Sequence, residues 1–185
     1  TYNFITKLII YRFFNALKVY TSFYLAKYTN SQQAKGLPLS ITIEPTTACN
    51  LGCPECPSGL KQFTRPEGNL KTDVYKKVID EAKHHAFYLN FYFQGEPFIN
   101  PNFLEMVSYA KQQKIYTATS TNAHFLSDKK AKETVESGLS RLTISIDGTT
   151  QETYESYRIG GKLQKVIEGT KNIIKWKKEL KSKTP

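Results

Sequence analysis

The sequence is short of the residues that would make it a secreted disulfide scaffold or a membrane-spanning protein. Its 185 residues include three cysteines, all between Cys49 and Cys56. An odd number at that spacing is a poor disulfide framework and reads as a metal or redox site in a reducing compartment. No small-residue cleavage site follows an uninterrupted apolar core, so no signal peptide is expected. The longest uncharged stretch near the start, Val19 to Ala26, falls far short of the roughly 20 residues that cross a bilayer. Acidic residues are scarce too: 16 Asp and Glu face 26 Lys and Arg, a formal charge of +10. That balance favours anionic partners such as phosphates, nucleic acid, lipid headgroups or an acidic substrate, without choosing among them. Much of the excess lies at the two ends. From Lys171 to Lys183 only Glu179 opposes the lysines, as on a solvated helix face.

What is present is a helix, then an alternating pattern. Residues 4–28 read as one helix, with Ile5, Leu8, Ile9, Phe13, Ala16, Leu17, Tyr20, Tyr24 and Leu25 near the helical period. Lys7, Arg12, Lys18 and Lys27 are dispersed around it rather than confined to one face. Two environments fit it: packing on the main domain as a lid or brace, or a peripheral anchor at a membrane surface with its rings at headgroup level. Asn30 to Pro38 reads as a linker. The chain thus divides into an N-terminal helix with linker, 1–35, and a core, 36–185.

Within the core, strands are expected at Leu39–Ile43, Ala86–Phe93, Ile115–Thr119 and Arg141–Ile146. The run Ala86–Phe93 is nearly apolar throughout, as a parallel strand covered on both faces should be. Helices are expected at Thr72–His85, Asn102–Gln113, from Ser127 to Ser137, and at Leu163–Lys181. Ser127 suits an N-cap and Gly138 a C-terminal stop. Four alternations of strand and helix argue for an α/β fold with a parallel sheet and right-handed crossovers. Four units are too few to close a barrel, so a piece of a longer protein is expected. The polar signatures fall at the carboxyl ends of strands, where such sheets build their sites.

The first of these is C-x3-C-x2-C: Cys49, Cys53 and Cys56, just after the first strand. Thiolates are soft ligands and suit an iron–sulfur cluster or zinc. Three of them leave one iron of a cubane without a protein ligand, and Gly52 and Gly59 let the backbone wrap closely. A structural zinc site would need a fourth ligand from His84, His85 or His124. Beyond the second strand comes Gln94-Gly95-Glu96-Pro97, beyond the third Ser120-Thr121-Asn122-Ala123. Beyond the fourth come Ser145-Ile146-Asp147-Gly148 and Tyr157-Arg158-Ile159-Gly160-Gly161. Separately these read as a turn, a polar loop with an Asx-turn, and a surface arginine beside paired glycines. The glycine order is not that of a phosphate-binding loop. A basic nucleic-acid-binding module would draw on the net charge, yet no recognisable motif for one is present, and no nucleic-acid partner is expected.

Taken together, the segment TIEPTTACNLGCPECPSG and the signatures after it resemble the radical SAM superfamily, most closely its SPASM/twitch-containing branch. The similarity spans about residues 39–180. It implies a partial (β/α)6 barrel of about four β/α units, preceded by the N-terminal helix. It also implies a 4Fe-4S cluster on Cys49, Cys53 and Cys56, with S-adenosylmethionine chelating the fourth iron. Reductive cleavage would give methionine and a 5′-deoxyadenosyl radical that takes hydrogen from a substrate, with a peptide or protein side chain as a candidate. By the same resemblance, Gln94, Gly95, Glu96 and Pro97 stand where the methionine ammonium is held. Ser120, Thr121, Asn122 and Ser145 fall at ribose- or methionine-binding positions. Arg158 suits the methionine carboxylate, and Asp147 would order its loop or touch substrate. The sequence departs from the family at Gln94 and Ala123, each in place of glycine. It departs again at Glu55, where an adenine-shelving aromatic is common; backbone bonds from the loop could still read the adenine edge, and Phe63 or another ring could stack instead. The implied partners are an electron donor such as flavodoxin or ferredoxin and an unidentified substrate. The expected location is cytoplasmic, with peripheral membrane contact through residues 4–28 as an option.

Overall fold

The computed structural model describes residues 2–29 and 32–185. The expected linker from Asn30 therefore begins outside the described residues. In chain order the elements are α1 (Tyr2–Ile5), α2 (Ile10–Thr29), β1 (Ser40–Thr42), α3 (Thr72–Ala82) and β2 (Tyr88–Asn90). They continue with α4 (Phe103–Gln112), β3 (Tyr116–Thr121), α5 (Asp128–Ser137), β4 (Arg141–Ile144), α6 (Gln151–Tyr157) and α7 (Leu163–Glu179). One 3-10 turn, Pro97–Ile99, lies between β2 and α4. The four strands form one parallel sheet in the order β1-β2-β3-β4. The chain is thus a partial parallel β/α barrel preceded by an N-terminal helix.

Register sorts the strand residues onto two faces. Ile41 aligns with Leu89, and Leu89 with Thr117; Thr119 aligns with Leu142 and Thr121 with Ile144. This face packs on the helices. Leu89, Phe91, Ile41 and Leu142 join Tyr75 and Ile79 of α3, Phe103, Met106 and Val107 of α4, Ala131 of α5 and Val166 of α7 in one core. The other face carries Ser40, Thr42, Arg141 and Thr143, all exposed, with Tyr88 stacked on Tyr116 at 5.3 Å between ring centroids. It is the concave face of the incomplete barrel. The apolar run Ala86–Phe93 is therefore helix-covered on one side only, and tyrosines line the other.

Caps confirm two local expectations. Ser127 accepts a hydrogen bond from the Lys130 N–H at the start of α5, and Gly138 ends that helix with φ +74°. Two expectations fail. The single helix over 4–28 is broken between Ile5 and Ile10. The carbonyl of Lys7, free of the helix ladder, accepts instead from Arg12 Nη1 at 2.8 Å. The fully buried Arg12 guanidinium also binds the carbonyls of Lys83, Gln113 and Lys114 at 2.6–3.0 Å. Those carbonyls lie at the C-terminal ends of α3 and α4, where helix dipoles present negative charge. This cation needs no acid, because peptide oxygens surround it. The second failure is α6, which was not expected. It is short and polar, buries only Tyr154, and starts with a capping box between Thr150 and Thr153.

Candidate functional site

The site is assembled at the carboxyl ends of all four strands. Its cysteine loop is held by backbone contacts that leave no room for side chains. Gly95, with φ +77°, places the position of an added Cβ only 2.2 Å from the Thr46 carbonyl oxygen. A Cβ on Gly59 would lie 2.5 Å from both the backbone nitrogen and oxygen of Cys53. The Glu96 N–H donates to the Ala48 carbonyl at 2.8 Å and the Gly52 N–H to the Ile159 carbonyl at 2.9 Å. The loop is thereby tied both to the segment after β2 and to the one after α6.

One cavity of about 160 Å³ is lined by Cys49, Cys53, Cys56, Gly95, Glu96, Ser120, Thr121, Asn122, Ser145 and Arg158. These residues were singled out separately along the sequence, and the fold brings them together. Gln94, Pro97 and Asp147 do not line it. Gln94 Oε1 accepts from Ser58 Oγ at 3.0 Å and from the Cys56 thiol at 3.4 Å, so its side chain braces the cysteine loop. Pro97 starts the 3-10 turn behind Glu96. Asp147 accepts from Arg158 Nε at the rim. Phe63 does not line the cavity either; it packs under the Arg65 guanidinium at 4.8 Å, and Arg65 pairs with Glu44. Sequence reasoning missed Leu51, Tyr92 and Phe93, which do line the cavity. Phe93 is 75 % exposed, and that exposure on a run read as buried strand hid its position at the site.

Glu96 is almost fully buried, and burial raises its carboxyl above the ordinary glutamate range. Opposing that, Oε1 accepts from Thr121 Oγ1 at 2.7 Å and from the Phe98 N–H at 3.3 Å, while Oε2 accepts from the Asn122 N–H at 2.8 Å. The positive charge of Arg158 acts in the same direction. A carboxylate offers about four acceptor sites; three are used here, and one on Oε2 remains for a donor. Ala123 adopts φ +62° after this pair, the left-handed turn for which glycine would be the easier residue. Its N–H donates to Thr121 Oγ1 at 3.0 Å, which holds the turn. His124 follows. Its Nδ1 meets the Asn122 carbonyl at 2.9 Å, and its Nε2 accepts from the Lys162 N–H at 2.8 Å, locking the loop to the start of α7.

The three cysteines are free thiols. Burial raises the Cys49 thiol, and nearby Glu96, Cys53 and Cys56 add to the effect. Arg158 Nη1 faces Cys53 Sγ at 3.7 Å. A thiol kept protonated by burial and neighbouring negative charge loses its proton to water when a metal cation binds the thiolate, because the cation's charge offsets the desolvation. The donor set, three cysteines lining one cavity, has the soft-ligand chemistry that suits a thiophilic metal centre. Among the described residues, no three His, Cys, Asp or Glu side chains gather around one point as ligands of one ion. None of the three histidines lines the cavity.

The Radical SAM superfamily model matches residues 43–179. The chain belongs to the radical SAM superfamily. Among its relatives, mycofactocin maturase MftC of Mycobacterium ulcerans is 32 % identical over 137 residues, 74 % of this chain and 36 % of that protein. The PqqA peptide cyclase of Bradyrhizobium diazoefficiens is 28 % identical over 156 residues, 84 % of this chain and 40 % of the cyclase. The structure of Streptococcus suis SuiB bound to S-adenosylmethionine superposes with a TM-score of 0.65 at 18 % identity, covering 84 % of this chain and 35 % of SuiB. The chain therefore spans about two-fifths or less of these proteins. As a radical SAM chain it carries the S-adenosylmethionine-binding fold of an enzyme superfamily, and the cavity described above occupies the carboxyl end of that fold.

Proposed function

We propose that residues 36–185 form the cluster-bearing part of a radical S-adenosylmethionine enzyme of the SPASM/twitch type, with residues 1–35 as an accessory helix and linker. The observation that carries this is the convergence of Cys49, Cys53, Cys56, Glu96 and Arg158 on one small cavity. In this reading the three cysteines hold a 4Fe-4S cluster. When bound, that cluster supplies the electron for reductive cleavage of S-adenosylmethionine to methionine and a 5′-deoxyadenosyl radical, which takes hydrogen from the substrate.

The chain's own residues then bind, orient and shield. The free acceptor position on Glu96 Oε2 takes the methionine ammonium, a charge-assisted bond in a dry setting. Thr121, Asn122 and Phe98 hold that carboxylate rigid, so orientation is fixed before the ligand arrives. Arg158, positioned by Asp147, turns its remaining N–H groups to the methionine carboxylate. Ser120 near the end of β3 and Ser145 just past β4, both lining the cavity, would meet the ribose. Buried Leu51 shields the inner wall of the cavity from water, and the exposed Tyr92 and Phe93 rings stand at its mouth, where a bound ligand would cover them. An external reductant such as flavodoxin or ferredoxin delivers the electron. The kinship with PqqA peptide cyclase favours a peptide as substrate.

Full-length protein, reconstituted anaerobically and reduced with dithionite, should release 5′-deoxyadenosine; Cys53→Ala and Cys56→Ala should not. Protein that is colourless and binds zinc instead of iron would point to a structural zinc module.

A further inference from the structure

The N-terminal helix is built inside out. Arg12, Asn15, Val19, Ser22 and Ala26 recur at helical spacing, and they form the stripe turned towards the protein: Arg12 and Ser22 are buried and the other three half-buried. Asn15 exchanges two hydrogen bonds with the backbone of Leu37, and Ser22 two with that of Lys35. Val19 lies against Gly36. The opposite stripe, Phe13, Leu17, Tyr20, Tyr24 and Tyr28, faces solvent, with exposures from 36 % at Tyr24 to 76 % at Tyr28. A surface helix of a soluble domain is ordinarily the reverse, apolar inward and polar outward. An aromatic stripe presented this way marks an interaction surface.

Charge identifies the occupant. Up to Glu44 the sequence contains no Asp or Glu, against Lys7, Arg12, Lys18, Lys27 and Lys35. On the helical wheel Lys27 borders the aromatic stripe and Lys18 lies further round, between it and the buried stripe, and both are exposed. At the N-terminal end, burial and the charges of Lys111, Arg12 and Lys114 together lower the Lys7 amine from the ordinary lysine range, so four cations cluster there. None of Lys7, Lys18, Lys27, Lys111 and Lys114 takes part in the ion pairs among the described residues.

We propose that α2 lies on an anionic lipid bilayer, its Phe13–Tyr28 stripe at headgroup depth and its flanking lysines on lipid phosphates. The helix lies on the membrane rather than across it, since no helix among the described residues is long and apolar enough to span. A second copy of the chain is a poorer occupant, because pairing two such faces would join two acid-free cationic segments. Arg12 fixes the helix to the C-terminal ends of α3 and α4, which feed the amino ends of β2 and β3. The cavity opens at the opposite end of those strands, so the anchor point of α2 and the cavity lie at opposite ends of the sheet.

The test is flotation of full-length protein with vesicles of phosphatidylcholine alone or containing phosphatidylglycerol. Binding should require the anionic lipid and fall as salt rises. Tyr20→Glu with Tyr24→Glu should lower partition at least roughly tenfold. Lys18→Gln and Lys27→Gln should each lower it about fivefold, on anionic vesicles only. These residues are exposed, so the variants should keep the parent circular dichroism and melting temperature. Failure to bind either vesicle, or binding unchanged by the glutamate pair, would overturn the proposal. So would a shift from dimer to monomer in the glutamate variant without lipid, which would make the occupant a second copy. Protection of the tyrosines from oxidative labelling in lipid-free full-length protein would also overturn it, because the rest of the chain would then cover the stripe.

Discussion

Asn122 donates its backbone N–H to Glu96 Oε2 at 2.8 Å, joining the turn after β3 to the loop after β2 across the floor of the cavity. With Thr121 and Phe98 on the other oxygen, either rotamer of an isosteric amide would set its NH2 against a backbone N–H. Glu96→Gln should therefore lower stability by about 1–2 kcal/mol, the cost of one buried mismatched donor. On the proposed function it should weaken S-adenosylmethionine binding more than tenfold, since the charge that meets the ammonium is gone. Denaturant melts and isothermal titration separate the two effects.

Gly95 and Gly160 both have positive φ, but only Gly95 is crowded: nothing lies within 4 Å of a Cβ at Gly160. Gly160→Ala should cost about 1 kcal/mol, the backbone term alone. Gly95→Ala adds a clash with the Thr46 carbonyl and should cost several times as much, on the order of 3 kcal/mol or more. The difference in melting midpoint between the two variants reads the steric part directly.

Arg12 satisfies four carbonyls with one cation. Arg12→Ala leaves them without donors and should cost about 2–5 kcal/mol. Lysine cannot reproduce the planar fork, so Arg12→Lys should recover only a part. Hydrogen exchange should show α2 losing protection in both variants while the sheet keeps its own.

His124 is half-buried, and burial lowers its imidazole from the ordinary value of 6.5. Its Nε2 accepts a hydrogen bond, which only the neutral ring can do. The unfolded chain therefore binds a proton at higher pH than the folded one does. The contribution is complete above about pH 6.5 and is lost as pH falls from there through the folded value. Thermal melts across that range should show a decline that His124→Gln flattens.

Much of this was legible because strong local signals agreed with the fold. The apolar residues of β1 and β4 alternate with polar ones as a helix-backed sheet requires, and Ser127 and Gly138 mark α5 at both ends, whereas the aromatic run around β2 hides which of its faces is open. The cavity's polar residues were legible as short signatures at strand ends. What escaped was decided by tertiary contacts. The break after Ile5 depends on an arginine that finds its partners in Lys83, Gln113 and Lys114, far along the chain. α6 buries one side chain, Tyr154, so it has no periodic stripe; the Thr150–Thr153 capping pair was the only cue. Tyr92 and Phe93 read as strand because they are aromatic, yet they sit beyond the end of β2 at the cavity.

Mössbauer spectra of the iron in anaerobically prepared full-length protein, recorded with and without S-adenosylmethionine, test the cofactor assignment most directly. Three thiolates from Cys49, Cys53 and Cys56 predict about four irons per chain at the site, one of which changes its signal when the cofactor is added. Protein without iron, or a cluster whose irons all keep their signals on addition, would contradict it.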